Sequence, residues 1–183
     1  MAVSSALVAA PLLARSSLAA AICKPESRGA IANIVNFGDS ASDKGRLEYM
    51  FNNDSQLPSA DTLLPIANAT ATGGLVWPCI VSQKMSANTL NYAISGSSCS
   101  RGIVEARPDG LPEGQSFAAI LDDQLPAFFA GLEFEDKLHG PAGRTANHTV
   151  YTVWIGANEL ALGGLLREGN EPGTTLTSVV ECN

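Results

Sequence analysis

The spacing of apolar positions changes several times along the chain, and each change marks an element. Ala30 to Phe37 is a run of β-favouring residues that stops at Gly38 and predicts a first strand. From about Asn52 to Gly74 the chain is rich in Asn, Asp, Ser and Pro and reads as a loop. Leu75 to Met85 is helical in pattern, provided that Pro78 falls in the first turn, where its missing N–H is not needed. Thr89 to Ile94 predicts a second strand. From Ser116 to Leu132 the residues Phe117, Ile120, Leu121, Leu125, Phe128 and Leu132 recur at helical spacing, and Pro126 marks a kink or a restart. Thr149 to Ile155 is the strongest strand pattern, and Glu159 to Leu166 behind it predicts a short apolar helix ended by Gly169. Near-continuous apolar strands separated by helices imply an α/β domain, a parallel sheet covered on both faces.

Residues 1–21 stand outside this pattern. An apolar run from Ala6 to Ala14, one charge at Arg15, and then Ser16 to Ala21 resemble a secretory signal peptide, with Ala19 and Ala21 as the small pair needed near a cleavage point. The run is too short to span a bilayer. Pro11 and Arg15 interrupt any amphipathic stripe, and no N-cap residue opens one, which argues against a buried helix. The expected organisation is therefore a signal peptide over 1–21 and one domain over 22–183.

Composition narrows the function classes. Of the 183 residues 45% are hydrophobic and 16% charged, too apolar for a disordered chain and too interrupted for a multi-span membrane protein. Lys and Arg number 11 against 18 Asp and Glu, a net charge of -7, and no basic cluster occurs, so neither nucleic acid nor an anionic membrane is an expected partner. The expected product is a secreted, acidic, extracellular protein.

Secretion alters the reading of the four cysteines, since thiols that pass through an oxidising compartment tend to pair. Closing the loop of about twenty residues between Cys79 and Cys99 would stabilise the fold by roughly 3 kcal/mol, and this pair is the expectation. Cys23 and Cys182 would pair with each other or with nothing in this chain. No C-x-x-C or His/Cys ligand spacing occurs, so zinc is not expected, nor any other cofactor. Asn53-Asp54-Ser55, Asn68-Ala69-Thr70 and Asn147-His148-Thr149 are glycosylation sequons in polar stretches, which makes Asn53, Asn68 and Asn147 candidate acceptors.

Each predicted strand ends in a small polar turn, where open α/β sheets place their chemistry. The turns read Gly38-Asp39-Ser40-Ala41-Ser42-Asp43, Asn91-Tyr92-Ala93-Ile94-Ser95-Gly96, and Gly156-Ala157-Asn158-Glu159. In that order they resemble the first three blocks of the SGNH hydrolases, the GDSL esterases and lipases. The wording around Val153 to Leu160, and Gly73-Gly74 with Trp77 nearby, is most similar to secreted fungal members, some of which deacetylate plant-cell-wall sugars. The resemblance implies a flavodoxin-like α/β sheet and hydrolysis of short acyl, especially acetyl, esters, with a small ester or acetylated carbohydrate as substrate. Ala41 stands where the family has Leu, Ser95 where a second glycine is common, and Glu159 where Asp is usual. None of these removes a reacting group.

The chemistry agrees with the resemblance. Ester cleavage needs a nucleophile, a base, and donors aimed at the oxygen that becomes charged. Ser40 is the candidate nucleophile. Its own N–H, the N–H of Gly96 and the carboxamide of Asn158 are the candidate oxyanion donors, and losing one such donor costs about 3 kcal/mol of barrier. Taken singly, Ser40 reads as an N-cap, Gly96 as a turn that needs positive φ, and Asn158 as the cap of the following helix. Three such residues at three strand ends favour function.

The family's D-x-x-H block normally follows further strands downstream, and this chain stops at Asn183. Asp136-Lys137-Leu138-His139 has the right spelling but precedes the third block, and His148 lies just before strand three, so neither histidine is expected to act as base. The expectation is the N-terminal portion of such an esterase, lacking its last strands and impaired in activity. Sheet order 2-1-3 would then leave strand three uncovered. The alternative is a non-catalytic carbohydrate-binding relic. A flavodoxin-like phosphate binder is disfavoured because no Gly-rich phosphate loop is present.

Overall fold

A computed structural model describes residues 30–65, 67, 70–102, 116–139 and 143–160. Its elements are β1 (Asn33–Gly38), α1 (Arg46–Asn52), α2 (Trp77–Met85), β2 (Asn88–Asn91), α3 (Leu125–Gly131), α4 (Glu135–His139), β3 (Thr149–Trp154) and α5 (Ala157–Leu160). The three strands form one sheet in the order β2-β1-β3, parallel throughout, with Asn33 in register with Asn88 on one side and Thr149 on the other. All three therefore end at the same edge.

The strands follow from β-favouring residues whose alternate side chains meet two different layers. Val35 and Phe37 of β1 face a core that contains Leu90, Tyr92, Ile120, Phe128 and Leu138. Phe37 stacks on Tyr92 at 5.6 Å between ring centres and meets Phe128 edge-on at the same distance. The opposite face is polar at its centre: Thr152 Oγ1 donates to Asn36 Oδ1 at 2.8 Å, and Asn36 Nδ2 donates to Asn91 Oδ1 at 3.4 Å. A Thr89–Ser82 hydroxyl contact docks α2 on this second face. The structure is thus α/β, with helices on both sides of a parallel sheet.

Helix starts obey the proline positions. Pro78 lies in the first turn of α2, and Pro126 in the first turn of α3, so the chain restarts at Pro126 after a π-helical turn, Ile120–Gln124. The second strand is shorter than its pattern, ending at Asn91, although Tyr92 and Ile94 still donate single N–H bonds to Asn36 and Gly38 across the sheet. Helix α1 has no counterpart in the sequence reading. It carries Met50 into a small second cluster with Ile94 and Ala118.

Strand β3 has β1 as its only neighbour among the described residues, and Val150, Tyr151, Val153 and Trp154 are 37–58% exposed. No helix among the described residues is long and apolar enough to cross a membrane. Residues 1–21, Cys23, Asn68, Cys182 and the stretch 161–169, which holds most of the last predicted helix, lie outside the described residues.

The expected Cys79–Cys99 bridge does not form. Cys79 is a free, buried thiol, and Cys99 is in a disulfide with another partner. The topology explains this. Cys79 sits on α2 beneath one face of the sheet, whereas the chain beyond β2 crosses the strand ends and brings Cys99 to α5 and the π-helical turn, where its N–H bonds Glu159 and its carbonyl accepts from Leu121 at 3.1 Å.

Truncating Phe37 to Ala removes the ring on which Tyr92 and Phe128 both pack. Chemical denaturation is expected to show a loss of about 3–5 kcal/mol. Leu63→Ala, at a side chain that is 52% exposed, should change stability by no more than about 0.5 kcal/mol.

Candidate active site

The three polar turns meet at the edge where the strands end, and buried acceptors tie them together. Gly38 closes β1 so near β3 that a Cβ would collide with the Trp154 carbonyl oxygen. Asp39 N–H then donates to that same carbonyl at 3.2 Å. The Asp39 carbonyl accepts from Ser42 and Asp43, each at 3.0 Å, which winds the first turn tightly. Ser40 lies inside this turn, half-buried, and its hydroxyl has no hydrogen-bond partner among the described residues.

Asp43 fastens the second turn to the first. Its Oδ1 accepts from the N–H groups of Gly45 and Arg46 at 2.8 and 2.7 Å, and its Oδ2 from those of Leu47 and Ser95 at 3.1 and 2.8 Å. One carboxylate therefore caps the start of α1 and holds the residue before Gly96. Asn91 adds a second link, donating from Nδ2 to the Ser42 carbonyl at 2.6 Å. Gly96 has φ +84, and a Cβ there would collide with the Phe117 ring, so backbone conformation and packing both require glycine.

Gln124 joins the first turn to the end of the second. Its Oε1 accepts from Gly38 N–H at 2.9 Å, and its Nε2 donates to the Gly38 carbonyl at 2.8 Å and to Ser97 Oγ at 2.9 Å. The third turn closes the circle. Asn158 Nδ2 donates to the Ser97 carbonyl at 2.7 Å, and the buried Glu159 accepts the Cys99 N–H. The Ala157 N–H is directed at the Asp39 carboxyl. Ser40, Gly96 and Asn158 thus sit on turns that are bonded to one another.

The acidic side chains of this edge are buried beneath its half-exposed turns. Asp39 is 1% exposed, and burial pushes its carboxyl above the ordinary carboxylate value, against the lowering pull of the Ala41, Asp39 and Ala157 amides. Asp39 Oδ2 and Glu159 Oε2 have no hydrogen-bond partner among the described residues. Trp77 Nε1 donates to Ser42 Oγ at 3.0 Å, and its ring lies 6.0 Å from that of Trp154, which roofs one side.

The histidines are not gathered here. His148 Nδ1 lies 2.9 Å from the Ala30 carbonyl, and the His148 carbonyl accepts from Ala32 and Asn33 where β1 begins. Five strand steps of about 3.3 Å separate that end from Gly38. His139 closes α4. Asn53 and Asn147 are exposed in turns. No cluster of three or more His, Cys, Asp or Glu side chains among the described residues could hold a metal ion.

Gln124 and the fourfold role of Asp43 were not anticipated. Asp43 lies three residues after Ser40 and just ahead of a helix, a position from which an Asx side chain reaches free N–H groups, so its signal was present. Gln124 had none. A glutamine in an amphipathic run reads as solvent-facing, and here Gln124 is buried at the end of the π-helical turn.

No family model matches the chain. Among curated proteins it is similar to an acetylesterase from Hypocrea jecorina, 35% identical over 149 residues. That match covers 81% of this chain and 41% of the relative, so the chain spans about two fifths of the length of the curated relative it matches.

Two outcomes follow from the polar ties. Gln124→Leu leaves Gly38 N–H and Ser97 Oγ without this partner in a buried site and should lower unfolding free energy by about 2–4 kcal/mol in a denaturant titration. Because the folded pKa of Asp39 is raised, its contribution to stability is present at acid pH and lost as pH rises through that value. Wild type should therefore lose stability relative to Asp39→Asn between a buffer near 3.8, the ordinary carboxyl value, and neutral pH. Thermal unfolding at both conditions checks the sign.

Proposed function

We propose that the protein is a secreted serine ester hydrolase of the GDSL type, acting on short acyl esters and in particular on acetyl groups carried by cell-wall carbohydrate. The observation that carries this reading is the similarity to an acetylesterase over 81% of the chain. It is supported by the bonding together of the turns that hold Ser40, Gly96 and Asn158.

In this reading Ser40 Oγ attacks the ester carbonyl and its proton passes to a base. The carbonyl oxygen, now anionic, is met by the N–H groups of Ser40 and Gly96 and by the Asn158 carboxamide. Collapse breaks the bond to the alcohol, which leaves with a proton, and water then releases the acid and restores the serine hydroxyl. The packing of Phe117 against Gly96 fixes the direction of the Gly96 amide. His148, at the far end of the sheet, is not assigned as the base. Turnover that depends on the described residues alone is accordingly expected to be slow, since donors without a base supply only part of the rate enhancement.

The unpartnered Ser40 hydroxyl also fits a second reading, a carbohydrate-binding relic of such an esterase. Incubation with a fluorophosphonate separates the two. The esterase reading expects covalent label on Ser40, seen by peptide mass spectrometry and lost in Ser40→Ala, together with measurable release of p-nitrophenol from p-nitrophenyl acetate. Label on a different residue, or no label on folded protein that still binds acetylated xylan, would contradict it.

A further inference from the structure

Beside the second turn lies a cavity of about 210 Å³ to which the chemistry of the three turns assigns no role. Leu47, Met50 and Phe51 of α1 line it together with Phe117. The three α1 residues stand three and four positions apart, so they form one continuous face of that helix. Both walls rest on the second turn. Met50 packs with Ile94, and the Phe117 ring lies against Gly96, where it fills the space a Cβ would need. One ring therefore touches both a proposed oxyanion donor and the cavity.

The lining has two chemical characters. Beside the apolar side chains stand Arg101 and Asp123, one charge of each sign. Arg101 Nη2 donates to Asp123 Oδ2 at 2.5 Å, and the same oxygen accepts the Ala119 N–H at 2.7 Å. Paired in this way, the two charges offer no net field to an ionic ligand. They still offer hydrogen bonds, because a guanidinium carries more N–H donors than one carboxylate oxygen can accept.

These two characters select the ligand. A wholly apolar acyl chain would take water from the ion pair and return no hydrogen bond. An acetyl group by itself would leave most of the about 210 Å³ to water. A pyranose ring is neutral, offers a C–H face to the apolar wall and turns hydroxyls toward the ion pair. We propose that this cavity is the subsite for the sugar ring whose acetyl group is removed, an inference that rests on the esterase reading for its place in the reaction.

The test uses the full chain, isotope-labelled at its methionine methyl groups. It is titrated with methyl β-D-xylopyranoside and, separately, with hexanamide, a neutral stand-in for an acyl chain. The Met50 methyl resonance, assigned through Met50→Leu, should shift saturably with the xyloside and not with hexanamide. Phe51→Ala, at a ring that is half exposed, should weaken xyloside binding about tenfold and lower the kcat/KM preference for tetra-O-acetylxylopyranose over ethyl acetate by a similar factor. Any saturable shift with hexanamide, none with the xyloside, or unchanged xyloside affinity in the variant overturns the proposal. Should Phe51→Ala fail to fold, the wild-type titration decides alone. Xyloside binding by a protein that hydrolyses neither ester supports the sugar site and rejects the esterase reading. Hydrolysis of both esters without a Met50 shift does the reverse.

Discussion

The bonds from the Gln124 carboxamide to the two main-chain polar groups of Gly38 are the constraint on which the edge carrying the three turns depends. Gly38 is the point at which β1 stops being a strand, and its N–H and C=O lie where no neighbouring strand satisfies both. The carbonyl also accepts from Ile94 N–H at 3.1 Å, whereas the Gly38 N–H has Gln124 as its partner, and leaving that buried N–H unpaired would cost about 1–3 kcal/mol. Gln124 answers both and uses its remaining donor on Ser97, so the turn after β1 and the turn after β2 cannot move apart without breaking either its two bonds to Gly38 or its bond to Ser97. Asn158 reaches the same Ser97 through its carbonyl, which brings in the turn after β3. Parallel strands alone align their ends. The buried amides convert that alignment into a fixed relation between Ser40, Gly96 and Asn158.

Such an edge is polar where a fold optimised for stability would be apolar. Asp39, Asp43, Gln124, Asn158 and Glu159 are all buried within it, and two carboxylate oxygens lack hydrogen-bond partners among the described residues. The apolar core lies elsewhere, on the face formed by Val35, Phe37, Tyr92 and Phe128. The chain separates the two tasks by the alternation of β1: odd positions Val35 and Phe37 hold the fold, and Asn36 begins the polar layer that continues through Asn91 to the turns.

Much of this was legible in the residues. The three parallel strands, the helix that begins around Pro78 and the restart at Pro126 follow from local pattern and proline stereochemistry, and the strand order 2-1-3 is what the family resemblance implies. Other features were hidden because they depend on it. Helix α1 is short and starts without a side-chain cap of its own, Asp43 supplying that function from two residues before Gly45. The pairing of Cys79 with Cys99 is an expectation from loop length, but loop length says nothing about where the fold carries each cysteine: Cys79 sits on α2, and Cys99 lies beyond the strand ends against Glu159 and Leu121. The polar layer that Asn36 begins is likewise not legible from a run read only for its β-favouring residues.

The central claim is that the three turns form one mechanical unit, and native-state hydrogen exchange tests it most directly. The amides of Gly38, Asp39, Ser95 and Cys99 donate respectively to Gln124, Trp154, Asp43 and Glu159, one or more from each pair of turns. A single unit predicts that all four exchange through one common opening, with equal free energies of protection and a common denaturant dependence. Protection of the Gly38 amide alone, with Ser95 or Cys99 exchanging orders of magnitude faster, would show that the turns open independently and would contradict the account.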